Sequence, residues 1–201
     1  IDKESGDAEA MVCDSPDRRV IGFEHQHRLW SYDGETVAVL PFPTAARMLT
    51  PNEGIEGLAR LPDGRLFMIA EGAQADDRSP AWVETGDGWA PLSVRRGDGF
   101  QVTGLASLPD GNFLLLERFY TPERGAAARL SVIRAAAVRP DADIRPQEIA
   151  RLAPPMNVDN FEGVAVVPDD GGGTLVFLLS DDHFNPLQRT LLLVFRLLPT
   201  E

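Results

Sequence analysis

The sequence predicts an all-β fold, a β-propeller built from four-stranded antiparallel blades. A motif occurs four times: an acidic residue or threonine, an apolar run, a Pro-Asp turn, a second apolar run and a second acidic residue. The copies start at Glu9, Glu56, Thr103 and Glu162, which lie 47, 47 and 59 residues apart. A period in the forties, with room for about four strands, is typical of propeller blades. We therefore treat residues 1–201 as a single propeller domain with four visible repeats.

Each copy of the motif is predicted to form a hairpin. The second and third copies turn at Pro62-Asp63-Gly64 and Pro109-Asp110-Gly111, and the fourth has a longer turn at 168–173. Proline presets φ for such turns, and glycine accepts a positive φ. The turn role explains these aspartates fully, so we assign them no chemistry.

Further strands complete the predicted blades. Residues 27–32 and 35–40 flank Asp33-Gly34 and form a second hairpin in the first blade, and residues 81–84 and 89–94 do so in the second. Residues 129–134 supply the third strand of the third blade, and residues 190–198 supply that of the fourth. The stretch 135–152 is irregular, with a short helical turn predicted near 135–138.

The edge strands bear on how many blades the propeller has. The last strand is only the third of its blade, and the N-terminal residues enter an innermost strand almost directly. Pairing of the two termini, which would remove an exposed edge, is therefore not expected. We expect the chain to be the C-terminal part of a larger propeller of about six blades; a closed four-bladed propeller is the alternative.

Composition excludes several classes of protein. The chain has 31 acidic and 19 basic residues and a net charge of −12, so nucleic acid is not an expected partner. The apolar runs have the length of strands and are too short to span a membrane. Cys13 is the single cysteine, which excludes an intrachain disulfide; its strand context predicts a buried thiol.

Acidic residues fall at both ends of each motif. A hairpin brings the start of its first strand beside the end of its second, so these ends should meet at one mouth of the central channel. Crowded carboxylates bind protons or cations, and hard oxygen ligands suit Ca²⁺ or another divalent cation. Loop capping or pairing with arginines such as Arg28 and Arg118 is the structural alternative. The predicted metal ligands are Glu9, Glu24, Glu56, Glu71, Glu117, Glu162 and Asp181.

A basic side chain follows an acidic one in three of the predicted loops at this mouth. These loops supply the candidate catalytic residues His25, Arg118, Asp182 and His183. Imidazole and guanidinium groups beside a metal suit proton transfer and the binding of a small anionic substrate such as a phosphate ester. No serine-hydrolase elbow, zinc-protease motif or phosphate-binding glycine loop is present.

Several segments resemble one bacterial family, the "esterase-like activity of phytase" or phytase-like domain. The segments are residues 7–11, 23–30, 52–58 and 188–190, with Asn160-Phe161-Glu162-Gly163 and Ser180-Asp181-Asp182-His183-Phe184-Asn185 the most specific. The resemblance implies a propeller longer than this chain and a periplasmic or secreted location. The asparagines usual after Ser-Asp are here Asp182 and His183, so the chain departs from the family pattern at those two positions.

The function expected from the residues and the resemblance is metal-dependent hydrolysis of phosphate or other esters. Two alternatives stay open. One is a non-catalytic propeller that binds a ligand or protein and holds structural calcium; the other is a lactonase of the gluconolactonase type. Whether the chain is an enzyme, and its oligomeric state, are not decided by the sequence.

Overall fold

Four small, mainly antiparallel sheets make up the structure, a computed structural model that describes residues 6–72 and 77–198. The first sheet contains β1 (Ala8–Ser15), β2 (Arg18–Phe23), β3 (Arg28–Asp33) and β4 (Thr36–Val39). The second contains β5 (Ile55–Arg60), β6 (Leu66–Ala70), β7 (Arg78–Thr85) and β8 (Gly88–Arg95). Short 3₁₀ turns occur at Ala46–Met48 and Ala135–Ala137, the latter where a helical turn was predicted.

The third and fourth sheets follow the same plan. The third contains β9 (Gln101–Ser107), β10 (Phe113–Thr121), β11 (Gly125–Ile133) and, at its outer edge, β13 (Gln147–Leu152). The fourth contains β14 (Phe161–Pro168), β15 (Thr174–Ser180) and β16 (Leu192–Leu197). The three strands of this last sheet agree with the prediction.

The sheets are arranged in a ring as the blades of a β-propeller, which confirms the predicted fold class. The innermost strands pack in succession, β1 on β5, β5 on β9 and β9 on β14. Apolar side chains fill the space between neighbouring sheets; Phe67 and Phe113, both fully buried, place their ring centroids 5.5 Å apart. Burying one such ring stabilises the fold by about 1.5–3 kcal/mol.

The Pro-Asp-Gly segments turn the hairpins as predicted. The Gly64 N–H donates to the Leu61 carbonyl, and Gly64 has a φ of 91°. The Asp63 carboxylate accepts a hydrogen bond from the Arg65 N–H at 3.1 Å. These bonds close the turn far from the acidic ends of the strands.

Two expectations are corrected. The irregular stretch contributes β12 (Asp143–Ile144), which pairs in parallel with β8, so the second blade has five strands instead of four. Arg78, Arg95 and Ser93 hold the Asp143 carboxylate there. Cys13 is exposed rather than buried, because the side chains of β1 alternate between two faces and its face is open to solvent. Within the described ranges, no helix has the length and apolar character needed to cross a membrane.

Candidate functional site

A cavity of about 290 Å³ lies where the innermost strands meet the ends of their hairpin partners. We call it the acidic cavity. It brings together six of the seven predicted metal ligands and two of the four predicted catalytic residues; their chemical roles stay predictions. The lining residues are Asp7, Glu9, Glu24, Asn52, Glu56, Glu71, Thr103, Arg118, Glu162, Asp181 and His183.

A β-bulge near the start of each innermost strand directs one side chain into this cavity. In the second blade, Ile55 pairs with Ala70 and Gly57 pairs with Ile69, so Glu56 is an extra residue that the ladder skips. The corresponding register shifts leave out Glu9, Thr103 and Glu162. A bulge re-aims the side chain of the extra residue. The repeat predicts these residues at the mouth but does not by itself predict the bulge. The small residue that follows each of them, alanine or glycine, is the signal for the bulge.

The glycines after the bulges also bring the blades close together. A Cβ on Gly104 would lie 2.9 Å from Val164 Cγ1, and one on Gly57 would lie 3.0 Å from Leu105 Cβ. These distances leave no room for a larger residue. Close approach of neighbouring innermost strands places acids from different blades around one small space.

The second group of acids follows the second strand of each hairpin. The N–H groups of Glu24, Glu71 and Asp181 donate to the carbonyls of Asp7, Gly54 and Asn160, respectively. Each acceptor precedes the bulged residue of its blade by two positions. This repeated hydrogen bond fixes the direction of the three acids.

The third blade breaks the pattern. Its hairpin has the same length and register as that of the second blade, and Glu117 aligns with Ala70. Arg118, which pairs with Gln101, therefore takes the position that Glu71 has in the second blade. The predicted ligand Glu117 therefore does not line the acidic cavity. Its carboxylate is fully buried inside the blade, where Arg129 Nε lies 2.8 Å from Glu117 Oε2 and Ser131 Oγ donates at 3.3 Å.

Burial and mutual repulsion favour the protonated forms of the cavity acids. Glu9 is exposed overall, but partial desolvation of its carboxyl group, assisted by the carboxylates of Glu24 and Asp7, raises its pKa to about 7. Burial, assisted by the carboxylates of Glu9 and Glu71, raises the pKa of Glu56 to about 9. The pKa values of Glu24, Glu71 and Glu162 are also raised, chiefly by burial.

Arg118 offsets part of this negative charge. Its Nε atom lies 3.2 Å from Glu162 Oε1, and Nη2 lies 3.8 Å from Glu71 Oε1. One guanidinium faces the seven acidic side chains that line the cavity. The cavity therefore retains a strong preference for protons or cations.

His25 lies at one side of this group. Its Nε2 atom is 3.2 Å from Asp7 Oδ2 and 3.9 Å from Glu24 Oε1. One ligand atom from each of the three residues lies within 4.8 Å of the others, a spacing that suits a shared metal ion. Asp7 is a site residue that the repeat does not indicate, because it precedes the motif.

The two acidic residues of the loop after β15, Asp181 and Asp182, lie in different places. His183 Nε2 lies 3.3 Å from Asp181 Oδ2, and both residues line the cavity. Asp182, predicted to be catalytic, does not line it. Its carboxylate accepts hydrogen bonds from the Phe184 N–H at 2.9 Å and from Thr190 Oγ1 at 3.0 Å, so it shapes the loop.

Comparison with known proteins agrees with the predicted family. The profile of the phytase-like family, described as "esterase-like activity of phytase", matches residues 1–184. The chain belongs to this family. A search of functionally curated proteins found no match.

Two solved structures of proteins of unknown function are similar to this chain, and the first of them shares its fold. One, from Dyadobacter fermentans DSM 18053, is 14% identical with a TM-score of 0.52, over 91% of this chain and 50% of its own length. The other, from Bacteroides caccae, is 11% identical with a TM-score of 0.43, over 94% of this chain and 60% of its own length. This phytase-like chain thus spans about half to three fifths of those proteins.

Proposed function

We propose that the acidic cavity binds a divalent cation, with Ca²⁺ the first candidate, and that the protein hydrolyses phosphate or other esters there. One observation supports the proposal: carboxylates from three blades converge on a single cavity of about 290 Å³ that has one arginine. Such a group must hold protons or cations at neutral pH. Membership of the esterase-like family favours a hydrolytic use of the site.

The donor set suits calcium. Ca²⁺ takes six to eight oxygen ligands in flexible geometry, and the cavity offers carboxylates together with neutral oxygens of Asn52 and Thr103. Glu56 is the central candidate, since the charges that act most strongly on it are those of its carboxylate neighbours. Metal binding would replace the protons that burial otherwise retains.

Residues around the cavity would have separate roles in this reaction. A bound divalent cation would supply a Lewis acid that polarises the ester and acidifies water. Arg118, which lines the cavity beside Glu162, would pair with negative charge that develops on the ester. Asp181 Oδ2 lies 3.3 Å from His183 Nε2 and would accept a hydrogen bond from the Nε2–H, which leaves Nδ1 as the atom that would accept a proton from water.

Calorimetric titration and turnover together test this function. Ca²⁺, Mg²⁺ and Mn²⁺ are titrated into chelator-treated protein, and phosphate esters, acyl esters and lactones are assayed with and without chelator. We expect Glu56→Gln to weaken Ca²⁺ binding by about tenfold or more and to remove turnover that chelator also removes. Glu35→Gln, at an exposed turn remote from the cavity, is the matched control.

The outcomes separate the alternatives. Ester turnover that is insensitive to both chelator and Glu56→Gln would defeat the metal mechanism. Tight Ca²⁺ binding without turnover of any ester would favour a non-catalytic propeller with structural calcium. Turnover confined to lactones would favour the gluconolactonase-type alternative.

A further inference from the structure

A second and larger cavity adjoins the acidic cavity. Its volume is about 560 Å³, and we call it the side pocket; Arg118, Tyr120, Asp159, Asn160, His183 and Arg189 are among its lining residues. Arg118 and His183 line both cavities. A ligand in the side pocket would therefore lie directly against the proposed reaction site.

Polar groups form the wall between the two cavities. Asn160 is buried, and its Nδ2 atom donates to Glu162 Oε1 at 2.7 Å and lies 3.4 Å from His183 Nδ1. The Arg118 Nε atom approaches the same Glu162 oxygen. The wall is thus tied to an acid of the acidic cavity while its other surface faces the side pocket.

The side pocket differs from the acidic cavity in charge. Arg189 is half exposed, and its Nε atom lies 3.4 Å from Asp159 Oδ2. The Asp159 carboxylate is nearly buried and also accepts from the backbone N–H groups of Arg189 and Asn160. Within residues 6–72 and 77–198, the Arg189 side chain donates a hydrogen bond through Nε, whereas its Nη1 and Nη2 groups donate none. This arrangement leaves the guanidinium fork able to bind an oxyanion in two-point fashion.

The remaining wall is aromatic and apolar. Tyr120 is 67% exposed and Leu187 is 89% exposed. Val158 and Phe119 line the same pocket. Exposed apolar side chains beside a few directed polar groups are typical of small-molecule sites.

We propose that the side pocket binds the anionic, ring-bearing part of a substrate, with a carboxylate or phosphate on Arg189 and a flat ring against Tyr120. The acidic cavity repels an anion, whereas the side pocket offers Arg189 and Arg118. The proposal rests on the proposed function only for what happens at the neighbouring reaction site. Binding in the side pocket itself does not require the metal.

Binding measurements on the metal-free protein test this inference separately from catalysis. Phenylphosphonate and benzoate are titrated in the presence of chelator by calorimetry, and ¹⁵N NMR locates the perturbed amides. We expect Arg189→Gln to weaken binding of both probes about tenfold, since a charge-assisted hydrogen bond is lost. Tyr120→Ala should weaken binding about threefold or more through loss of the ring contact.

Two controls accompany this experiment. The first changes an arginine outside the side pocket, and the second is a probe that keeps the ring but lacks the charge. Arg145→Gln, at an exposed arginine between β12 and β13, should leave binding unchanged. Benzyl alcohol, which has the ring without the charge, should bind about tenfold more weakly than benzoate. Shifts should concentrate at Tyr120 and the 183–189 loop.

Three results would overturn the proposal. The wild type and Arg189→Gln could bind the probes with equal affinity, or no saturable binding of either probe could occur at millimolar concentration. The amide chemical-shift changes could also be confined to the acidic cavity. Failure here leaves chelator-sensitive ester turnover intact. Failure of the proposed function leaves Arg189-dependent binding intact. The two hypotheses are therefore distinguishable.

Discussion

The second and third blades have the same hairpin, but the two hairpins present opposite charges to the acidic cavity. The second blade presents Glu56 and Glu71 to the acidic cavity, whereas the third presents Thr103 and Arg118 at the equivalent positions. The cavity is therefore not a symmetric ring of carboxylates. Its acids come from the first, second and fourth blades, and its cation comes from the third, on the side that adjoins the side pocket.

Two buried acids of these blades show how environment decides chemistry. Glu117 is enclosed with Arg129, which supplies charge-assisted hydrogen bonds. Burial raises the pKa of Glu56, and the carboxylates that surround it raise it further. The first is a structural ion pair, and the second is a candidate for binding a cation.

Removing the partner of Glu117 should have the largest effect. Arg129→Met leaves a carboxylate buried without its counter-ion, which should lower the free energy of unfolding by about 3–5 kcal/mol. Urea denaturation measures this loss. Arg151→Met, which disrupts an exposed pair with Glu148, should cost under about 1 kcal/mol. The double variant Arg129→Met, Glu117→Leu should recover most of the lost free energy of unfolding. If Arg129→Met alone lowers the free energy of unfolding by less than about 1 kcal/mol, the ion-pair assignment is contradicted.

Glu56 should respond to pH in the way that an acid without a counter-ion does. Its pKa is raised from 4.5 in the unfolded chain to about 9 in the folded protein. The folded state therefore holds the proton more strongly, and this contribution to stability is lost as pH rises from about 5 towards 9. In chelator, Glu56→Gln should reduce that loss by on the order of 2 kcal/mol in urea titrations at each pH.

The matched control for the pH experiment is Glu35→Gln, whose side chain is exposed. Its stability should follow the wild-type pH dependence. Parallel curves for Glu56→Gln and the wild type would show that Glu56 is not perturbed by its neighbours. If Ca²⁺ replaces the proton on Glu56, added Ca²⁺ should suppress the loss of wild-type stability that accompanies the rise in pH.

The smallest predicted effect concerns the cation of the third blade. Arg118→Gln removes the positive charge that competes for Glu162 and Glu71. Calorimetry should show Ca²⁺ binding strengthened about threefold to tenfold, as expected for the loss of a like charge at this distance. Arg145→Gln should bind Ca²⁺ as the wild type does. Weaker binding in Arg118→Gln would instead mean that Arg118 orders the acids as ligands.

Much of this architecture follows from local patterns. The Pro-Asp-Gly turns, the innermost hairpins and the three strands of the last blade depend on residues that are neighbours in the chain. Placement of Glu9, Glu56 and Glu162 near one mouth follows from the hairpin and the repeat. The acidic end of the third motif predicts Glu117 at the mouth, but in the strand pairing Glu117 matches Ala70 of the second blade and Arg118 matches Glu71.

Sequence alone determined the propeller, its family and the side of each blade that carries the acids, because turn chemistry and strand alternation are local. Only the tertiary structure decided which acids meet and which are neutralised. The bulges, the close approach at Gly104 and the pairing of Glu117 with Arg129 depend on contacts between strands and blades distant in sequence. The side pocket likewise exists only where Arg118 of one blade meets the 183–189 loop of the next.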